Sequence, residues 1–215
     1  MQYNVYNPYD GFKSIFNHVM NHHEVIKSED GDVTYESETV IVKIRKPLAE
    51  PKNLIDVYCM GPEAVKRYIA QFNDGTNTDG FEYTYYERLK EYDIEDQRIN
   101  QINWIKKRLE ESPNTRRGVA VIWKPDEDVC SNNPPCLQWV QALIRAGNLN
   151  LKVLFRSHDV LKGWPSNILA IAEMQRRMAE ELNVDVGYLE VISSIPHIYI
   201  KSDADLVKET MVRLK

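Results

Sequence analysis

Apolar residues recur at helical spacing from Tyr9 to about Ile26, with Phe12, Ile15, Phe16, Val19 and Met20 on one face. This predicts an amphipathic first helix. From Glu38 to Arg45 the period changes to two, with Val40, Val42 and Ile44 opposite Lys43 and Arg45 until Pro47, the pattern of a half-buried strand. Asp56 to Met60 reads as a short strand. Pro62 suits the first turn of a helix carrying Val65, Tyr68, Ile69 and Phe72, which Asn73-Asp74-Gly75 ends. Ile99, Ile102, Ile105 and Leu109 predict another helix, closed by Ser112-Pro113-Asn114. The apolar run between Gly118 and Trp123 fits a buried strand. Leu137 to Ala146 and Leu149 to Phe155 read as two strands joined at Ala146-Gly147-Asn148. A helix from Ser166 to Leu182, a strand from Tyr188 to Ile200 and a terminal helix capped by Ser202 complete the chain. Such alternation predicts an α/β or α+β fold built on one main sheet.

With 215 residues, the chain fits one domain spanning 1–215, because single cores stop growing only near ~250 to 300 residues. No run approaches the ~20 apolar residues of a membrane span, so no membrane contact is expected. The first residues, Met1-Gln2-Tyr3-Asn4-Val5, carry neither a basic nor an apolar leader region, and a cytoplasmic location is the expectation. Cys59, Cys130 and Cys136 cannot all pair and lack metal-ligand spacing, which suits reduced thiols. His18 and His22 stand four apart on the first helix without a third ligand at sensible spacing, so no metal is expected. A net charge of −5 argues against a dedicated DNA or RNA binder but leaves room for a local phosphate pocket.

The chemistry-bearing residues cluster in two stretches. Asn132-Asn133-Pro134-Pro135-Cys136 supplies a thiol, and Arg156-Ser157-His158-Asp159-Val160 followed by Gly163-Trp164-Pro165-Ser166-Asn167 supplies a guanidinium, a hydroxyl, a carboxylate and a carboxamide. A thiolate adds reversibly to the electron-poor carbon of a pyrimidine ring, and arginine presents a planar fork to phosphate oxygens. Cys136 is therefore the candidate nucleophile, against the bland alternative of a small buried hydrophobe. Its free thiol would titrate near ~8.5, so a cation such as Arg156 is needed to favour the thiolate. His197 and Tyr199, two apart on a strand, share one face. Asn167 can accept from the ring N–H of uracil and donate to the adjacent carbonyl, an order that cytosine inverts. An amide turned over would present the opposite order unless its neighbours hold it.

Pro-Cys, then Arg-Ser-x-Asp, then Gly-x-Pro-x-Asn-Ile, with Arg116-Arg117 upstream and His197-Ile198-Tyr199 downstream, resembles the thymidylate synthase family from about residue 60 to 200, in the manner of its short archaeal-type members. The resemblance implies a mixed twisted sheet flanked by helices and C5 methylation of deoxyuridine monophosphate (dUMP) to thymidylate. Cys136 would form an adduct at ring C6. The donor would be 5,10-methylenetetrahydrofolate or another methylene-tetrahydropterin, such as a tetrahydromethanopterin. The resemblance also implies a homodimer in which Arg116 and Arg117 cross to the neighbour's nucleotide phosphate. Arg156 and Ser157 would hold the phosphate, and His197 and Tyr199 the sugar hydroxyl. Asn167 would read the base and Asp159 would hold the pterin. Tyr83, five residues before Arg88, would help remove the proton from C5.

This chain departs from the family pattern at four places. Leu137 follows the nucleophile where histidine is usual, and Lys27 is the only cation near the expected N-terminal phosphate arginine. A direct register puts Arg67 at the position of the catalytic glutamate, leaving Glu63, about one turn earlier, as its nearest candidate. The chain ends soon after His197-Ile198-Tyr199, where the family continues into a segment that closes over the folate. Water entering there would yield hydroxymethyl instead of methyl. Two rival readings follow: a hydroxymethyltransferase of the same fold acting on dUMP or its cytosine counterpart, and a nucleotide- or RNA-binding relative without turnover.

Overall fold

The computed structural model describes residues 1–76, 80 and 82–215. Strand β1 (Gln2–Val5) leads into helix α1 (Pro8–Asn21), followed by β2 (Glu24–Lys27), β3 (Val33–Glu36) and β4 (Val40–Ile44). Helices α2 (Pro51–Val57), α3 (Gly61–Asp74) and α4 (Tyr85–Lys90) precede a small hairpin of β5 (Tyr92–Ile94) and β6 (Gln97–Ile99). Then come α5 (Gln101–Glu111), β7 (Val119–Val121), the short α6 (Pro125–Asp128), β8 (Leu137–Arg145) and β9 (Asn148–Asp159). Helix α7 (Trp164–Glu181), β10 (Asp185–Tyr199) and α8 (Ala204–Arg213) finish the chain.

Eight strands form one mixed sheet in the order β1-β4-β10-β9-β8-β7, with β3 pairing the far half of β10 and β2 pairing β3. Strands β9 and β10 run parallel because α7 carries the chain back between them, whereas β8 and β9 are an antiparallel hairpin. The expected mixed sheet flanked by helices is thus observed. Helix α1 turns Phe12, Ile15, Phe16 and Val19 onto the sheet. Trp164, wholly buried against Phe12, opens α7, and removing such an aromatic from a core costs about 3 to 5 kcal/mol.

Several elements form for the reasons their residues suggest. Gly75, at φ 77°, ends α3 in the left-handed conformation, and its N–H caps the Gln71 carbonyl. The turn between β8 and β9 places Ala146 and Gly147 at φ 48° and 75°, the paired positive values that a two-residue hairpin needs.

Five expectations are corrected. Asp56–Met60 is no strand: Pro51 starts helix α2, and Leu54 and Val57, three apart, supply its buried face. The first helix stops at Asn21, well before Ile26, and Glu24–Lys27 pairs with β3 with all four residues exposed, so no alternation betrays it. Strand β7 is a sheet edge instead of a buried strand, with Val119 and Val121 exposed on either side of Ala120. Strand β9 runs on past Phe155 to Asp159, which puts the Arg156–Asp159 motif on a rigid strand end. Asp203, not Ser202, stands at the N-cap of α8, and its carboxylate takes the Lys162 ammonium at 2.7 Å instead of a backbone amide.

Candidate active site

Cys136 sits half-buried immediately before β8, and three groups register it there. Its carbonyl accepts from the Arg156 backbone N–H at 2.8 Å. The Arg156 guanidinium donates through Nε to the Pro135 carbonyl at 3.0 Å and through Nη2 to that of Pro134 at 2.6 Å. The next residue, Leu137, donates its N–H to the Tyr85 hydroxyl at 3.2 Å. The two prolines have fixed φ and no N–H, so their carbonyls face a partner that reads both at once. Arg156 keeps Nη1 and the second Nη2 proton for an anion.

Beside this loop lies a cavity of about 530 Å³ lined by Tyr68, Gln71, Tyr83, Thr84, Tyr85 and Asn133 among others. Burial raises the phenols of Tyr68, Tyr83 and Tyr85, and a Cys136 thiolate would add to the rise in each. Burial pushes the Tyr83 phenol up to about 12, with Arg156 and Arg88 opposing. Burial also pushes the Cys136 thiol up; Arg156 pulls it down more weakly and Asp159 adds to the rise. The expected assistance from Arg156 is thus present but outweighed by desolvation.

The strand ends bring most of the remaining candidates together. Ser157 Oγ lies 3.4 Å from His197 Nδ1, across the parallel pairing of β9 and β10. His197 and Tyr199 share a face, their rings edge to face at 5.2 Å. Asp159 Oδ1 accepts from the backbone N–H groups of Leu161 and Lys162, both at 2.9 Å, forming the turn that launches α7. Burial raises its carboxyl, and those amides with His197 and Lys162 oppose the rise. Gly163 permits this turn, since a Cβ there would meet the Asp159 carbonyl at 3.0 Å. Asn167, buried in the first turn of α7, accepts from the Tyr68 hydroxyl and sets its Nδ2 at 3.2 Å from His158 Nε2.

Three candidates lie apart. Glu63 is solvent-exposed and ion-paired to Lys66 at 2.8 Å on the outer side of α3. Arg116 and Arg117 are exposed on the loop before β7, and β7 pairs with the middle of β8, several residues from the end that Cys136 precedes. Within one chain they do not reach the cavity. His18 accepts or shares a proton with the Tyr3 hydroxyl at 3.0 Å and stacks on His22.

Tyr68, Tyr85, His158 and Ser193 belong to the site but were not singled out from sequence. Tyr68 sits on the inward face of α3 with Val65, Ile69 and Phe72, where a buried hydroxyl requires a partner. That requirement is the one signal available beforehand.

The thymidylate synthase family model matches residues 62–215, a span holding every one of these site residues. A protein of Methanocaldococcus jannaschii named "Putative thymidylate synthase" is 32% identical over 203 residues, covering 92% of this chain and 90% of that protein. Proteins of the same name are 32% identical in Methanothermobacter thermautotrophicus (88% of this chain, 89% of the relative) and 33% identical in Methanopyrus kandleri (86% of each). Mixed sheet, thiol loop and strand-end motif therefore have a common explanation: the chain belongs to the thymidylate synthase family.

Proposed function

We propose that this protein is a thymidylate synthase that methylates dUMP at C5. The observation that carries the reading is the Cys136 loop, held by Arg156 and Tyr85 and contributing Asn133 to a tyrosine-lined cavity, with Ser157 against His197 and His197 against Tyr199 at the neighbouring strand ends.

Cys136 Sγ adds to ring C6, and the electron pair moves to make C5 nucleophilic. Binding of the nucleotide phosphate by Arg156 and Ser157 places the ring over the sulfur and dries the site. Asn167 holds the base edge while His197 and Tyr199 hold the sugar hydroxyl. Tyr83, which lines the cavity, takes part in removing the C5 proton. Departure of the Cys136 thiolate from C6, as the C5–C6 double bond re-forms on reduction of the new methyl group, then releases the nucleotide.

The one-carbon donor is a methylene-tetrahydropterin, of the folate or methanopterin type. The tyrosine rings of the cavity can pack against flat rings, and Asp159, whose Oδ1 takes both turn amides and whose Oδ2 lies 4.0 Å from Lys162 Nζ, is the residue proposed to meet a pterin N–H. When bound, such a donor supplies the methylene carbon taken up at C5 and the hydride that reduces it. The exposed Arg116 and Arg117, remote from their own cavity, support a homodimer in which they serve the partner's phosphate. No described helix is long and apolar enough to cross a membrane, and we place the enzyme in the cytosol on its three free thiols.

The test is incubation with dUMP and isotopically labelled methylene donors of both types, with the product identified by mass. Thymidylate is expected. A hydroxymethyl product would assign the chain to the related hydroxymethyl transfer, and bound but unaltered dUMP with every donor would contradict turnover.

A further inference from the structure

His158 is wholly buried beside the site, stacked on Phe155 with ring centroids 3.9 Å apart, and the reaction above gives it no task. Its two nitrogens are both engaged. Nε2 faces Asn167 Nδ2 at 3.2 Å and Nδ1 faces Ser193 Oγ at 2.9 Å. An amide nitrogen can only donate, so Nε2 opposite it must present its lone pair and the ring proton must sit on Nδ1, where Ser193 accepts it. At the other end of the amide, Asn167 Oδ1 accepts from the Tyr68 hydroxyl.

The three contacts form one directional relay. Tyr68 donates to Oδ1 of Asn167, Asn167 donates through Nδ2 to His158, and His158 donates through Nδ1 to Ser193. Turning the amide over would require reversing every link, including the histidine tautomer. Burial holds the imidazole neutral, well below the usual histidine range, so a doubly protonated ring does not intervene.

Asn167 retains one lone pair on Oδ1 and one proton on Nδ2. In the arrangement described, these match a base edge with an N–H next to a carbonyl, which is uracil; the reversed relay would match cytosine. We propose that His158 is a positioning residue whose Nδ1–H tautomer, with Ser193 accepting that proton, locks the Asn167 amide and so selects uracil over cytosine nucleotides. Tyr68 closes the relay from the opposite side. This inference rests on the nucleotide reading given above and adds the groups that make the base choice.

The experiment compares binding of dUMP and its cytosine counterpart by the full chain and by His158→Phe, which keeps the ring stack and removes both hydrogen bonds. The preference for dUMP is expected to fall about tenfold, the scale of one neutral hydrogen bond, because the amide can then turn freely. Nitrogen-15 spectra of the unaltered protein with dUMP bound should show His158 protonated at Nδ1. An undiminished preference in a His158→Phe protein that binds dUMP would overturn the inference alone. Protonation at Nε2 in the dUMP complex would do the same, and that measurement decides the matter if the variant does not fold. Failure of the unaltered protein to bind dUMP would instead remove the nucleotide reading, and this inference with it.

Discussion

The Tyr85 hydroxyl accepts the backbone N–H of Leu137 at 3.2 Å, so helix α4 fixes the residue next to Cys136. Tyr85→Phe would leave that buried amide without its acceptor. A loss of about 1 to 3 kcal/mol is expected, lowering the melting temperature by ~2 to 4 °C per kcal/mol, together with slower nucleotide turnover. Calorimetry and product formation check the two effects; unchanged values for both would show that Leu137 is held by other means.

The Cys136 thiol should react only at higher pH than a free thiol, because burial outweighs the pull of Arg156. Exposed Cys130 would react first, so alkylation rates are best followed in a Cys130→Ser background. The rate should rise with a midpoint above the ordinary thiol value, and Arg156→Gln should move that midpoint further up by removing the opposing charge. In linkage terms, a raised pKa in the folded chain adds stability at pH below the free thiol value, and that stability is lost as pH rises through the raised one. A midpoint below the ordinary thiol value would contradict this.

Asp159 combines a turn and a proposed pterin contact, and two substitutions separate them. Asp159→Ala should lose about 1 to 2 kcal/mol, because the Leu161 and Lys162 amides lose their acceptor. Asp159→Asn retains an acceptor and should unfold almost normally in urea, while raising the KM for the methylene donor. Equal KM values for Asn and the original residue would confine Asp159 to the turn.

The proposed sharing of sites between subunits can be tested by complementation. A chain carrying Arg116→Ala and Arg117→Ala and a chain carrying Cys136→Ser should each be inactive, yet their mixture, unfolded and refolded together, should recover activity through hybrid dimers. No recovery would place the arginine pair outside the partner's site.

Much of this architecture was legible where a period or a turn residue spoke for itself. The Val65, Phe72 and Gly75 pattern marked α3 and its end, and Ala146-Gly147 marked the β8–β9 turn. Val57-Tyr58-Cys59-Met60 misled because so short an apolar run does not separate a period of two from one of 3.6. The all-exposed β2 carries no alternation, since its neighbours and not its burial define it. Within the candidate site, local motifs point to Cys136, Arg156, Ser157, Asp159 and Asn167. The Tyr68 to Asn167 contact joins residues 99 positions apart, so only packing of α3 against α7 reveals it. Glu63 has a suitable charge and place in the chain, but helical geometry turns it to solvent while Tyr68, on the inner face, reaches the cavity.

Turnover as proposed requires the Cys136 sulfur to bond to C6 of the pyrimidine. Release of tritium from C5 of labelled dUMP, in the presence of a methylene-tetrahydropterin, reports that event directly. Release by the unaltered protein is expected, with a fall on the order of 10³-fold or more in Cys136→Ser and dUMP affinity retained. Equal release by the two proteins would contradict it.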